Sequence, residues 1–426
     1  MHRKFKSINV FVISLSFILA TQAQASNISD EAQRLYQAHQ QEVFQIRVIN
    51  KATGNKFAIG SGFHFAKGIV ATNYHVISRA ADDPQDYKIE YLAHDGSVAN
   101  ATILNVDVIH DLAILKVEDI DAAYLTIGSS QIDKGVRIYS MGNPHDLGMT
   151  IVEGIYNGLM EKSLYRKILF SGSINPGMSG GPALNQNGEV IGINVATAGD
   201  QISFLIPVEF LSRLYEQTQA ASVENSGEWK GYVQSQLVGH QQEFVDNIIG
   251  YQWTQQAIGP VTVPGEITNV VKCWSESRNK GKEYYHYAYV SCSNDDEIYL
   301  SDQLSTGKIY YKYNWIVSKH NNPLLFYNAY EFFFSYLYNF VNAGEEDVTN
   351  FNCAHNFVAI EGRDYKASYC ARNYKKYPQL YDFDMVLVSV DQKLEGLVVE
   401  LAGLGMTKDN INHLVKKFME NIKWPK

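Results

Sequence analysis

The sequence predicts an all-β N-terminal part, built from two small antiparallel barrels, and a C-terminal part that is α+β. Two successive sets of short segments with alternating apolar and polar residues, separated by polar turns, predict the barrels. Four cysteines, all beyond residue 222, indicate a separate, disulfide-stapled C-terminal part. At 426 residues the chain is long enough for two or three domains.

Residues 1–25 have the pattern of a secretory signal peptide. Three basic residues precede an apolar run, residues 8–20, that is short for a membrane span, and Ala23-Gln24-Ala25 supplies a small-x-small cleavage site. The alternative is an uncleaved membrane anchor. We expect a periplasmic or secreted bacterial protein that has no stable membrane insertion after cleavage.

The composition is that of a folded, acidic protein. Hydrophobic residues make up 46% of the chain and charged residues 19%. Loss of the leader removes three positive charges, which changes the formal net charge from −9 to −12. An acidic chain without a basic run is a poor match to a phosphate backbone, so nucleic acid is not an expected partner.

The first set of alternating segments predicts a six-stranded barrel. A short helix from Ser29 to about Glu42 precedes it, with Ser29 as the capping residue. The predicted strands are residues 43–49, 57–65, 68–72, 87–92, 98–106 and 112–117.

The second set predicts a further barrel that a helix closes. Five of its strands are visible in the alternation, and residues 207–221 have the pattern of the closing helix. The predicted strands are residues 136–141, 150–160, 167–170, 189–195 and 202–206.

A serine between glycines is the strongest indication of a catalytic residue in this sequence. Residues 174–182 read Ile-Asn-Pro-Gly-Met-Ser-Gly-Gly-Pro, and glycines allow sharp turns whose N–H groups stay open. This pattern favours Ser179 as a nucleophile, with the N–H groups of Gly177 and Ser179 as an oxyanion hole. The alternative is a Gly/Pro-rich turn that happens to contain a serine.

A serine nucleophile needs a base, and the base needs an acid that orients it. His75 follows the predicted strand 68–72, and Asp111 immediately precedes the predicted strand 112–117. Together with Ser179 they form a candidate triad in the order His, Asp, Ser. Four other histidines could act as the base, but we expect surface or structural roles for them: His64, His94, His110 and His145.

Three segments resemble the motifs of trypsin-like serine peptidases, and most closely the bacterial HtrA/Deg branch: Thr72-Asn73-Tyr74-His75-Val76, Asp111-Leu112-Ala113-Ile114-Leu115-Lys116 and Gly177-Met178-Ser179-Gly180-Gly181-Pro182. The resemblance covers roughly residues 37–215. It implies two six-stranded trypsin-like antiparallel β-barrels within residues 26–222, with the triad in the cleft between them. It also implies an endopeptidase that forms an acyl-enzyme and uses neither a cofactor nor a metal.

Met178 departs from the family pattern, because the Deg branch usually has asparagine at this position. Two alternatives to an active protease remain, and the departure at Met178 supports the first of them. One is a latent or inactive protease-like protein that binds through its C-terminal domain. The other is a secreted adhesion or structural protein whose Tyr-rich C-terminal domain carries the function.

The resemblance also places the primary specificity pocket. The residue six before the nucleophile lies at the base of this pocket in the family, and the opposite wall comes from a later strand. With no acid or base among these residues, we expect protein or peptide substrates cut after small or medium apolar residues. The pocket residues are Ser173, Ile174, Asn194, Val195 and Ala196.

Residues 223–426 form the predicted accessory domain, which has no PDZ pattern. An even number of cysteines in an exported protein indicates disulfides. We favour Cys273–Cys292 and Cys353–Cys370, because each pair brackets a strand–turn–strand pattern with similar spacing. Zinc binding is the alternative. A weak internal duplication is also indicated, with strands at 308–317 and 394–401 and helices at 323–340 and 407–422. No motif indicates an oligomeric state.

Overall fold

The structure is a computed structural model that describes residues 27–118, 123–197, 202–220, 229–278, 284–335 and 343–425. The predicted signal peptide lies outside these ranges. Within them, no helix combines the length and the apolar character that a membrane crossing requires.

The first barrel confirms the alternating pattern. Inward-facing residues such as Ile46 and Val48 of its first strand are fully buried. Because the barrel is closed, no strand edge is left for pairing with another chain. Its strands are antiparallel and close in the order β1-β2-β3-β6-β5-β4: β1 (Val43–Asn50), β2 (Lys56–Ala66), β3 (Ile69–Thr72), β4 (Tyr87–Leu92), β5 (Val98–Asp107) and β6 (Leu112–Val117).

The second barrel repeats this connectivity. The sequence pattern predicts five of its six strands and misses Pro182–Leu184, because three residues beside a Gly/Pro-rich turn are too few to show alternation. Proline is tolerated there as the first residue of a strand. The strands close in the order β10-β11-β12-β9-β8-β7: β7 (Arg137–Gly142), β8 (Thr150–Leu159), β9 (Ile168–Phe170), β10 (Pro182–Leu184), β11 (Val190–Thr197) and β12 (Ser203–Pro207).

Three helices accompany the barrels: α1 (Asn27–His39), α2 (Tyr74–Asp82) and α3 (Val208–Ala220). The predicted first helix and closing helix correspond to α1 and α3. In place of α2 the sequence indicates only a polar turn. This short helix forms because Tyr74, Ile77 and Ala81 lie on one face and are buried against the first barrel.

The C-terminal part is a seven-stranded antiparallel sheet in the order β15-β16-β19-β23-β22-β21-β20, with helices on both faces. Tyr311 and Tyr313 pack with Phe418 of α6 on one face, while Ile316 packs with Phe326 of α5 on the other. Its helices are α4 (Trp229–Gly250), α5 (Pro323–Ser335) and α6 (Lys408–Glu420). Its sheet strands are β15 (Lys272–Arg278), β16 (Tyr285–Ser293), β19 (Ile309–Ser318), β20 (Asn352–Ile360), β21 (Arg363–Asn373), β22 (Tyr381–Ser389) and β23 (Glu395–Met406).

Two small hairpins complete this part. One is formed by β13 (Gln255–Ile258) and β14 (Val261–Pro264). The other is formed by β17 (Ile298–Ser301) and β18 (Leu304–Thr306), between two neighbouring strands of the large sheet. We call this second one the 298–306 hairpin.

Both predicted disulfides are present. Cys273 faces Cys292 across β15 and β16, and Cys353 faces Cys370 across β20 and β21. After the first bridged hairpin come three strands, residues 298–301, 304–306 and 309–318, and then α5, whereas after the second come β22 and β23 and then α6. The internal duplication stays a prediction. Residues 336–340 of the predicted helix 323–340 lie outside the described residues.

The C-terminal part shares a hydrophobic core with the first barrel. Helix α4 packs Val233 into the core of the first barrel and Val245 into the core of the C-terminal sheet. Residues of the C-terminal part that belong to the first-barrel core are Trp229, Val233, Leu237, Ile298, Leu300, Leu304, Val348, Tyr374, Tyr377 and Leu380.

Candidate active site

His75 and Asp111 are held together by the start of α2. The Tyr74 N–H and Asn73 Nδ2 both donate to the carbonyl oxygen of Asp111, at 3.2 and 2.8 Å. The His75 N–H donates to Asp111 Oδ1 at 2.7 Å, which places a carboxylate at a helix N-terminus. Asp111 adopts a left-handed φ of 54°, which aspartate tolerates better than most residues. The turn before β6 and the first turn of α2 therefore form one hydrogen-bonded unit.

The ring of His75 is oriented by the same carboxylate. His75 Nδ1 lies 2.6 Å from Asp111 Oδ2, so the ring N–H at Nδ1 donates to the carboxylate and Nε2 is left as the basic nitrogen. Burial lowers the pKa of His75, but the charge and hydrogen bond of Asp111, with the charge of Asp302, outweigh burial and raise this pKa above its ordinary value. The site therefore favours a protonated imidazole at Nε2, the form that a general base reaches after it takes a proton.

Ser179 lies beside the strand that leads into His75. Its carbonyl accepts the N–H of Ser61 at 2.7 Å. A Cβ on Gly180 would come within 2.4 Å of Thr72 Oγ1 and 2.9 Å of the Asn73 nitrogen, so only glycine lets this loop approach so closely. The Ser179 hydroxyl and His75 are not hydrogen-bonded. Such contacts are often loose in sites without substrate.

Two backbone N–H groups in the serine loop are open. The Pro176 carbonyl accepts the His145 N–H at 2.8 Å, and the Met178 carbonyl accepts the Gly181 N–H at 3.1 Å. Because a trans peptide points its N–H and C=O in opposite directions, the N–H groups of Gly177 and Ser179 point away from these contacts. Neither donates a hydrogen bond within the described residues, and Gly177 has the left-handed φ of 96° that the turn requires.

Met178 anchors the serine loop. Its side chain is fully buried among apolar residues of the second barrel such as Ile138 and Phe170. The Gly177 carbonyl accepts the Ser61 hydroxyl at 2.7 Å, which ties the loop to the first barrel as well. Met178 thus anchors the serine loop by apolar packing in the second barrel.

Asn194 and Ser61 hold this loop, a role that the sequence motifs do not indicate. Asn194 Nδ2 donates to the carbonyls of Met141 and Met178 at 2.9 and 3.1 Å, and its Oδ1 accepts the Ser140 hydroxyl at 2.7 Å. The sequence does carry a signal for Ser61, since glycines inside a strand mark close backbone approach. A Cβ on Gly60 would meet Val76 Cγ2 at 2.5 Å.

The predicted pocket residues separate into two groups. Ser173 is exposed and Val195 is half-buried, so both can line a cleft. Ile174 belongs to the core of the second barrel, and the Asn194 side chain is fully buried in the hydrogen bonds above. These two side chains therefore do not line an open pocket. The side chain of Ala196 lies outside the described residues.

The four histidines considered as alternative bases either have local partners or lie at the surface. His64 is buried, with Nδ1 2.9 Å from the Ala123 carbonyl and Nε2 accepting the Gly68 N–H. His110 Nδ1 lies 2.7 Å from Asp107 Oδ2, and its ring stacks on Phe210. The side chains of His94 and His145 are exposed.

Sequence comparisons identify the region that holds these residues. A family model described as the trypsin-like peptidase domain matches residues 60–193. A probable periplasmic serine endoprotease, DegP-like, of Chlamydia trachomatis is 35% identical over 170 residues, which are 37% of this chain and 33% of that protein. The putative serine protease HhoB of Synechocystis is 34% identical over 169 residues, 37% of this chain and 39% of that protein. The chain therefore spans between a third and two fifths of the length of these relatives.

Two solved structures align with less than half of this chain. The serine endoprotease from Yersinia pestis aligns with a TM-score of 0.39 and 26% identity over 44% of this chain and 66% of that one. The structure of Deg5 aligns with a TM-score of 0.40 and 28% identity over 45% of this chain and 94% of that one.

Proposed function

We propose that this chain, which contains a trypsin-like peptidase domain similar to DegP-like and HtrA-like serine proteases, is an exported serine endopeptidase. The observation that carries the proposal is the His75–Asp111 pair at 2.6 Å, which leaves Nε2 of His75 as the basic nitrogen. The match of residues 60–193 to the peptidase family adds support, because this range also contains Ser179.

The proposed reaction uses these groups in a fixed order. Ser179 Oγ attacks the carbonyl carbon of the scissile bond while His75 Nε2 accepts the hydroxyl proton. The N–H groups of Gly177 and Ser179 stabilise the negative oxygen of the tetrahedral intermediate. His75 then protonates the leaving amine, and water hydrolyses the acyl-enzyme by the same steps. Asp111 holds the His75 ring and stabilises its cation throughout.

Three observations support export. The leader pattern in residues 1–25 is that of a secretory signal peptide. Two disulfides in the C-terminal part suit an oxidising compartment such as the periplasm or the extracellular space. The name of the Chlamydia trachomatis relative also places that protein in the periplasm.

We expect this protease to cleave proteins after small or medium apolar residues. Ser173 and Val195 offer neither an acid nor a base to pair with a charged substrate side chain. The measurement is sequencing of the peptides released from an unfolded, disulfide-free protein substrate, with Ser179→Ala protein as the blank. A set of cuts dominated by Lys or Arg before the scissile bond would contradict the expected pocket.

The direct test of the proposed function is labelling by a fluorophosphonate probe. Such a probe phosphonylates a serine only where a base and an oxyanion hole activate it. Labelling of the mature wild-type chain and none of Ser179→Ala would support the proposal. A wild-type chain that is neither labelled nor able to cleave an unfolded protein would refute it.

A further inference from the structure

The 298–306 hairpin belongs to the C-terminal part but lies on the helix that carries His75. Successive residues of its first strand point to opposite sides. Ile298 and Leu300 are buried in the core shared with the first barrel. Tyr299, between them, faces the other way and is half-buried. The sequence alternation therefore aims the Tyr299 side chain away from the hydrophobic core.

Tyr299 contacts the ring of His75 directly. The two ring centroids are 5.7 Å apart, and the ring planes are inclined by 64°, which is an edge-to-face arrangement. The Tyr299 hydroxyl donates to Asp302 Oδ1 at 2.9 Å, in the turn of the same hairpin. His75 thus has Asp111 on one side and a tyrosine–aspartate pair from another domain beside it.

The hairpin is fastened at its base and its turn. Asn294, which is buried, donates to the carbonyls of Asp296 and Gly307 at 2.8 and 3.0 Å, and so closes the base of the hairpin. The Ser301 hydroxyl donates to Asp347 Oδ2 at 2.8 Å. These hydrogen bonds connect the hairpin to the rest of the C-terminal part at both ends.

Two ion pairs near the hairpin connect the C-terminal part to the barrel part. Asp296 accepts Lys167 Nζ at 2.7 Å and the Leu164 N–H at 2.6 Å, both from the loop before β9. Lys376 pairs with Asp82 at the end of α2. The Lys167 and Asp296 side chains are each only 13% exposed, so solvent ions screen this pair little. Tyr299 therefore lies beside His75 on a hairpin whose surroundings are hydrogen-bonded and ion-paired to the barrel part.

We propose that Tyr299 and Asp302 are positioning residues for His75, so that the C-terminal part completes the active centre of the protease. The inference rests on the proposed function. Tyr299 would restrict the imidazole to the orientation in which Nδ1 meets Asp111. Asp302, held by the Tyr299 hydroxyl, would place a second negative charge near the imidazolium that forms during catalysis.

The charges around His75 predict the sign of a pH effect. The groups that face it are Asp111 from the turn before β6, and Tyr299 and Asp302 from the hairpin. The negative charge of Asp302 raises the pKa of His75, to a smaller extent than Asp111 does, against the lowering effect of burial. Since only the neutral imidazole accepts a proton, kcat/KM falls as the pH drops through this raised pKa. Asp302→Asn removes the charge, so it lowers the pKa of His75 and moves the acid limb of the profile to lower pH.

The experiment compares Asp302→Asn, Tyr299→Phe and Tyr299→Ala in the full-length mature chain. One readout is an NMR titration of selectively labelled histidine, in which the His75 signal is the one missing from His75→Gln. The other is the pH profile of kcat and KM on an unfolded protein substrate. Asp295→Asn is the matched control, because it removes the same charge from a side chain in the C-terminal part that pairs with Lys272.

We expect a lower pKa of His75 in Asp302→Asn and an unchanged one in Asp295→Asn. Tyr299→Ala is expected to reduce kcat by about three- to tenfold, the range of an aromatic pair, with a smaller change in KM. Tyr299→Phe keeps the ring and should restore most of kcat. If Tyr299→Ala unfolds, Tyr299→Phe and Asp302→Asn still report through the pKa of His75.

Two results would overturn the inference. One is a His75 titration and a kcat that stay the same in all three variants, as for an ordinary surface tyrosine. The other is a higher kcat/KM in Tyr299→Ala, which would mean that the hairpin obstructs the site. The His75 titration does not depend on the probe labelling of Ser179, whereas kcat and kcat/KM are compared in a labelled, active wild type. Failure of the proposed function is seen instead as an unlabelled, inactive wild type, in which the NMR titration still reports the Tyr299 contact.

Discussion

Replacement of His75 by alanine is expected to lower kcat by about 10⁶, close to the effect of Ser179→Ala, because nucleophile and base act as one unit. Without the imidazole, the Ser179 hydroxyl loses the base that is proposed to accept its proton as the carbonyl is attacked. The double variant, with both His75→Ala and Ser179→Ala, is expected to have a kcat close to that of either single variant. The measurement is single-turnover cleavage of an unfolded protein, which separates chemistry from substrate binding.

Asp111→Asn is expected to lower kcat less than His75→Ala does. An amide donates a hydrogen bond to Nδ1, so the proton moves to Nε2 and the ring presents the wrong tautomer to Ser179. We expect a loss of about 10⁴ in kcat. His94→Gln is the control, since this exposed histidine lies in a turn of the same barrel. Activity in His75→Ala that matches the control would rule out His75 as the base.

A chain that ends at residue 222 is expected to fold poorly and to lose probe labelling. Ten buried apolar side chains of the C-terminal part belong to the core of the first barrel. Full burial of such a side chain contributes about 1.5–3 kcal/mol, so even half of this for ten residues is on the order of 10 kcal/mol. That amount is comparable with the whole free energy of unfolding of a typical domain.

This truncation is tested by urea unfolding and fluorophosphonate labelling of three samples. They are residues 26–426, residues 26–222 alone, and residues 26–222 produced together with residues 223–426. We expect cooperative unfolding and labelling in the first sample, neither in the second, and partial recovery in the third. If residues 26–222 alone unfold cooperatively and react as fast as the whole chain, the shared core is dispensable.

The sequence by itself determined much of the two-barrel part. Alternation reveals strands wherever one face is buried, so eleven of its twelve strands were predictable and only the three-residue β10 was missed. His75, Asp111 and Ser179 were recognisable as candidates because each stands in a short local motif. The cysteine pairing was also predictable, because partners on adjacent strands of a hairpin are close in sequence.

The tertiary structure alone decided what surrounds these residues. Tyr299 is 224 positions from His75, and no periodicity connects residues so far apart in sequence. The same holds for Asn194, whose amide supports the serine loop although its position suggested a pocket wall. Local patterns record which face of an element is buried, whereas packing between elements decides which other element covers it. For that reason the sequence did not reveal that side chains of the predicted accessory domain pack into the hydrophobic core of the first barrel.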